Sequence, residues 1–325
     1  MPGTDPREAA AVVAGELADL PHLPELPARG PGADMVGRAA GLLVDLHVDV
    51  QPSGWRLVHR PGMDERRARA FLSADLDAIE EACQGMVGPV KLQVCGPWTM
   101  AASMRLFSGE PVLSDAGAVR DLAASLTEGL VAHVADLRRR LPGAQPLLQL
   151  DEPSLPAVLA GGVRTTSGVR SLEPVPSTTA EEFLRSVVRA VGLVGAPVVV
   201  HCCAARPPVS LLQRCGVAGL SLDLTVLPRD LDDELGAAVE AGLALLAGVV
   251  PAVPVPGGTL SAPADTVGPV RRLWHRLGLD PAALRLVVVT PTCGMAGADP
   301  GHAVAALRLA RAAARQLADD QEGER

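Results

Sequence analysis

The chain has 325 residues, 48% of them apolar and 20% charged, which is enough to bury a large core in one big domain or two smaller ones. Its 29 basic against 37 acidic residues give a formal charge of -8, and the one dense basic run is Arg138-Arg139-Arg140, so the footprint of a nucleic-acid binder is excluded. No segment reaches the roughly 20 uninterrupted apolar residues of a membrane span, and the start lacks the basic and apolar regions of a signal peptide, so no membrane is expected and the cytoplasm is the expected location.

The first residues, Pro2-Gly3-Thr4-Asp5-Pro6, read as a turn and 7–17 as a helix. A Pro/Gly-rich loop covers 21–32, and Asp34 caps a helix starting at Met35-Val36. From there short apolar runs alternate with longer Ala/Leu-rich amphipathic stretches, the signature of βα units around a parallel sheet. The strands are 43–50, 90–95, 147–151, 198–202, 219–224, 243–250 and 286–290. Helical patterns over 75–85, 115–140, 179–194, 207–215, 231–241, 264–277 and 302–317 lie among them. A second Pro/Gly-rich loop covers 251–258, and 319–325 reads as a frayed tail. With no repeat and no domain-sized linker, the expectation is one domain over 1–325, a TIM-type (βα)8 barrel. One strand of the eight is missing from the reading or from the chain, and its place is the N-terminus, where a turn and a helix appear without the strand that should precede them.

Six cysteines, at 83, 95, 202, 203, 215 and 293, have no regular spacing and are expected reduced. Three of them close apolar runs. His201-Cys202-Cys203 ends Pro197-Val198-Val199-Val200, and Cys293 follows Val287-Val288-Val289-Thr290. In a barrel, chemistry gathers at the C-terminal ends of strands, where Asp49, Cys95, Asp151, His201, Cys203, Asp223 and Cys293 all fall. Residues two apart on an extended segment point the same way, so His201 and Cys203 share a side, while Cys202 points opposite and packs. With Asp223 and Cys293 they offer N, O and two S ligands, a set suited to zinc (Zn2+) with room for a substrate thiol. The plainer reading is small buried thiols and a hydrogen-bonded core histidine.

Other strand ends carry two readings each. Gln149-Leu150-Asp151-Glu152-Pro153 sets two carboxylates where one can take a substrate ammonium, or where they form a helix cap and a first-turn charge. Trp98, in Gly96-Pro97-Trp98-Thr99-Met100, is a platform for a flat ligand or a lid over the core. Asp49, in His47-Val48-Asp49, orients a ligand or belongs to a structural pair.

Four segments in order resemble the catalytic, C-terminal barrel of the cobalamin-independent methionine synthases. Gly96-Pro97-Trp98-Thr99-Met100 is similar to that family's Gly-Pro-x-Thr-Met turn, and Gln149 to Leu155 to its Gln-x-Asp-Glu-Pro-Ala-Leu element. His201-Cys202-Cys203 matches its His-x-Cys, and Pro291-Thr292-Cys293-Gly294 its Pro-Asp-Cys-Gly. The resemblance implies zinc on His201, Cys203 and Cys293, with Asp223 standing where the family has a glutamate, and Asp151 holding the amino group of homocysteine. Asp151 and Asp223 would be the catalytic carboxylates, and Asp151, Glu152, Trp98 and Asp49 would line the substrate pocket. The implied activity is methylation of a homocysteine-like thiol to methionine, from a methyl-folate or from a methyl-corrinoid carried by another protein. Departures are the aspartate at 223, Arg29 in the place of a family glutamate, and the absence of the family's Gly-Ser-x-Pro segment. Two competitors share the pattern in part: the uroporphyrinogen-decarboxylase-like zinc methyltransferases, and a barrel that has lost catalysis and binds zinc or a partner.

Overall fold

Continuous apolar runs fold as strands buried on both faces. In the computed structural model, which describes residues 1–323, six such runs build one parallel sheet. An antiparallel hairpin comes first in the chain, β1 (His47–Gln51) with β2 (Gly54–Val58). The parallel strands are β3 (Gly88–Cys95), β4 (Ala144–Asp151), β5 (Val198–Cys202), β6 (Gly219–Asp223), β7 (Ala244–Val250) and β8 (Val287–Pro291), neighbours in sequence order. Helices Ala116–Arg140, Ser177–Leu193, Val209–Arg214, Asp232–Glu240 and Gly268–Leu277 occupy the successive crossovers, and Pro300–Gly323 follows β8. That last helix covers much of the stretch read as a tail, 319–325, of which 324 and 325 lie outside the described residues. No helix among the described residues is long and apolar enough to cross a membrane.

The eight-stranded barrel is therefore found only in part: the sheet curls into half a barrel, with β3 and β8 at its edges. The run 43–50 was expected in that sheet and lies outside it, because His47-Val48-Asp49-Val50-Gln51 alternates polar with apolar. Such alternation marks a strand with one wet face, the habit of an antiparallel pair. Gln51 and Gly54 close the hairpin across Pro52-Ser53, with Gly54 at φ 108°. Conversely, part of the loop expected at 21–32 lies along the outer edge of β3: Leu23 N–H donates to Lys91 O (2.9 Å) and Lys91 N–H to Pro21 O (2.8 Å).

The hairpin is anchored to the long helix Ala116–Arg140 by a close backbone approach. Ser125 Oγ accepts from Val44 N–H (2.9 Å) and donates to Val44 O (2.7 Å), and one turn on, Gly129 lets the Leu42 carbonyl rest on the helix. Next on that face is His133, 4% exposed, whose Nε2 has no hydrogen-bond partner. Burial, and secondarily the charge of Arg38, holds its imidazole down to about 4 from the ordinary 6.5. The ring is thus neutral in the folded protein at neutral pH, and the cost of the shift is felt only on acidification. As pH falls below about 6.5 the unfolded chain takes up the proton first, and the loss grows to about 3 kcal/mol near pH 4. His133→Leu removes that loss, so the expected outcome is a shallower fall in urea midpoint between pH 6.5 and 4; parallel curves for the two proteins would count against it.

Candidate metal centre

Parallel strands deliver their C-terminal ends to one face of the sheet, and three side chains converge there. His201 lies near the end of β5, in register with Asp151 of β4 and Ser221 of β6. Its Nδ1 is 3.0 Å from Ser221 Oγ and 3.1 Å from Ser221 O. A carbonyl oxygen only accepts, so Nδ1 carries a hydrogen in either charge state: the neutral ring has a bare lone pair at Nε2, and the protonated ring donates from Nε2 to Cys293. Cys203, two residues on, shares the side of His201. Cys293 comes from beyond β8, where Thr292 N–H still donates to Val250 O (2.9 Å) and extends the ladder to the same face.

The ligand atoms of His201, Cys203 and Cys293 all lie within 4.8 Å of one another, and His201 Nε2 is 3.9 Å from Cys293 Sγ. Tetrahedral zinc, with Zn–S of about 2.3 Å and Zn–N of about 2.0 Å, sets ligand atoms roughly 3.5 to 3.8 Å apart, so one imidazole and two thiols at this spacing fit the ion. The electrostatics favour a ligand state. The hydrogen bond from Cys203 and then the one from His201 bring Cys293 down to about 4, a thiolate at neutral pH. Cys203, as the partner that donates, is pushed up. Burial lowers His201, but the hydrogen bond to Cys293 and the negative charges of Asp151 and Cys293 outweigh it, and the net shift is upward.

Asp151 ends β4 beside His201 and is 6% exposed. Burial raises its pKa against the opposing pull of His201 and of the hydrogen bond from Gln149. The other residues expected at the site do not converge on it. Asp223 ends β6 half-buried and is not part of that three-residue group; its Oδ1 accepts from Thr225 N–H (2.9 Å) and Thr225 Oγ1 (2.6 Å), a short carboxylate bent into its own turn. Glu152, expected in the pocket lining, is fully buried and caps the turn after β3: its oxygens accept from Trp98 N–H (2.9 Å), Thr99 N–H (2.7 Å) and Thr99 Oγ1 (2.7 Å). Trp98 is likewise a buried lid, 2% exposed, donating to Ala180 O (3.2 Å) and meeting Phe183 edge-on at 5.5 Å. Asp49 sits on the hairpin, paired with Arg56 at 2.8 Å.

The family model described as the catalytic domain of the cobalamin-independent synthases matches residues 1–316. The chain belongs to this family. A solved structure of a B12-independent methionine synthase from Shewanella sp. W3-18-1, in complex with selenomethionine, aligns with a TM-score of 0.50 at 16% identity over 72% of this chain and 64% of that one. At that identity the likeness is one of fold, and the chain spans under two thirds of that protein's length. No curated protein matches.

Within this cobalamin-independent synthase domain, sequence reasoning missed the residues that hold the site rather than form it. Ser221, which orients His201, has no signal beyond its position two residues before a strand end. Gly96 is set by close approach: a Cβ there would lie 2.7 Å from Glu152 Cγ, so the turn after β3 and the buried carboxylate require each other. Arg29, standing where the family has a glutamate, ion-pairs with Asp75 at 2.8 Å, and Asp75 also pairs with Arg38.

Proposed function

We propose that this domain binds one zinc ion through His201, Cys203 and Cys293 and methylates homocysteine to methionine. The observation that carries the reading is the convergence of these three side chains, 92 residues apart in sequence at the extremes, within 4.8 Å. With Asp223 outside the cluster, three protein ligands leave a fourth position for the substrate thiol. Zinc held there supplies a Lewis acid that lets a thiol give up its proton at neutral pH.

The chain's own groups do the rest. Ser221 holds the hydrogen of the neutral His201 ring on Nδ1, which leaves the Nε2 lone pair for the ion, and Asp151 takes the substrate ammonium, fixing the amino acid at one end while its sulfur lies at the other. The deprotonated sulfur attacks the methyl group in line. A new S–CH3 bond forms, the donor departs with the electron pair of the broken bond, and the thiol proton has already left. The donor is a methyl-folate or a methyl-corrinoid on another protein, and both belong in the test. Purified protein should hold one equivalent of zinc, and mass spectrometry should find methionine when homocysteine is supplied with one of the two donors. Protein that takes up no zinc on reconstitution would overturn the reading.

A further inference from the structure

Beneath the cluster, the inward faces of β3 and β4 carry a hydrogen-bonded chain that ends on Asp151. The two strands run in register, Gln93 opposite Gln149 and Cys95 opposite Asp151. Lys91, the only lysine among 325 residues, donates from Nζ to Gln149 Oε1 (3.0 Å) and Gln93 Oε1 (3.4 Å). Gln149 Nε2 donates to Asp151 Oδ1 (2.7 Å), and Gln93 Nε2 donates to the Leu23 carbonyl. Gln93 and Gln149 are each 8% exposed, so water does not compete freely for these bonds.

Direction in this chain is fixed by what each group can do. An ammonium only donates, so it claims the oxygen of the Gln149 amide. The NH2 end is thereby turned to Asp151, which as a carboxylate only accepts. Flipping the amide would set oxygen against carboxylate and NH2 against ammonium, two repulsions at once. Oδ1 of Asp151 is thus committed, while Oδ2 takes no protein hydrogen bond among the described residues. Lys91 forms no salt bridge with any of the described carboxylates, so its hydrogen-bonded route to Asp151 runs through Gln149, beside the longer-range attraction of its charge.

We propose that Gln149 is a positioning residue, held by Lys91, that pins Asp151 so that its Oδ2 receives the ammonium of the thiol amino acid. The inference rests on the reading that Asp151 binds that ammonium. Its consequence is selectivity: a pinned carboxylate favours homocysteine over 4-mercaptobutanoate, which has the same thiol and carboxylate and lacks the amino group.

The test is calorimetric titration of the zinc-loaded protein with each of the two thiols, with no methyl donor present. Wild type should prefer homocysteine. Gln149→Leu and, independently, Lys91→Met should narrow that preference about 10-fold or more by weakening homocysteine alone, with zinc still at one equivalent and 4-mercaptobutanoate affinity unchanged. Adding Gln149→Leu to Asp151→Asn should narrow it no further, because the two act through one contact. Should Asp151→Asn keep the wild-type preference, the ammonium reading falls and this one with it. Should Asp151→Asn abolish the preference while Gln149→Leu and Lys91→Met keep it, or weaken both thiols equally, the positioning role alone is overturned.

Discussion

Cys293→Ser is expected to leave the protein with well under one equivalent of zinc after dialysis and to weaken homocysteine binding by about 100-fold or more. The cause is the difference between a thiol and a hydroxyl. Cys293 is brought down to about 4 by Cys203 and His201, so it offers an anionic sulfur at neutral pH. A serine hydroxyl in the same place stays protonated and offers a weak oxygen, leaving one imidazole and one thiol to hold the ion. Even groups that merely orient zinc ligands typically cost 10- to 100-fold in metal affinity, which sets a floor for loss of a ligand itself. Cys203→Ser should behave in the same way. Cys202→Ser should not, because Cys202 points to the opposite face of β5 and is fully buried there, and Asp223→Ala should keep zinc because that carboxylate is turned into its own loop. Zinc analysis by mass spectrometry across the four variants separates these outcomes. Equal loss in all four, or full retention in Cys293→Ser, would dismantle the ligand assignment.

What could be read from the sequence is what is local and chemical. Strands β3 to β8 declare themselves because a run buried on both faces must be apolar throughout, and the His/Cys cluster gathers at their ends because a parallel sheet sends every C-terminus to one side. His201 and Cys203 follow from strand periodicity, and Cys293 from the second run's end. Depth is not written in this way. Glu152 and Trp98 lie next to strand ends, yet period two already sets Glu152 opposite to Asp151, so if one faces the interior of the half-barrel the other cannot. The adjacent carboxylates of Asp151-Glu152 thus divide into one beside His201 and one that caps the turn after β3, a division the alternation rule supplies and the motif conceals. At Asp223 the backbone is where the pattern puts it, while Thr225 takes the side chain, a local contact that strand periodicity does not encode. The run 43–50 is legible as a strand, but not its partner: alternation fits one face of a barrel strand as well as the dry face of a hairpin, and the hairpin is what forms.

Gly129→Ala is expected to be the most damaging single methyl group in the chain, costing about 3 kcal/mol or more and in practice yielding little soluble protein. Gly129 lies in the interior of the helix Ala116–Arg140, where glycine is otherwise a poor choice by nearly 1 kcal/mol relative to alanine. The reason it is there is the Leu42 backbone. A Cβ at 129 would stand 2.9 Å from the Leu42 carbonyl carbon and closer still to its oxygen, and 3.2 Å from Leu42 Cβ. Backbone atoms do not swing aside as the end of a long side chain does, so the helix and the 41–46 segment must separate. Separation also breaks the paired bonds between Ser125 Oγ and Val44 (2.9 and 2.7 Å), one turn away on the same helix face. Gly15→Ala provides the internal control. Gly15 is exposed on the helix Pro6–Glu16 with nothing within 4 Å of a new Cβ, so there the same substitution should be neutral to stabilising, by up to about 1 kcal/mol. Urea denaturation of the two variants, with opposite signs expected for one added methyl, tests whether helix propensity or backbone approach decides a glycine's place. If Gly129→Ala unfolds at the same urea concentration as wild type, the close docking of the hairpin's root against this helix is not the constraint that the geometry indicates.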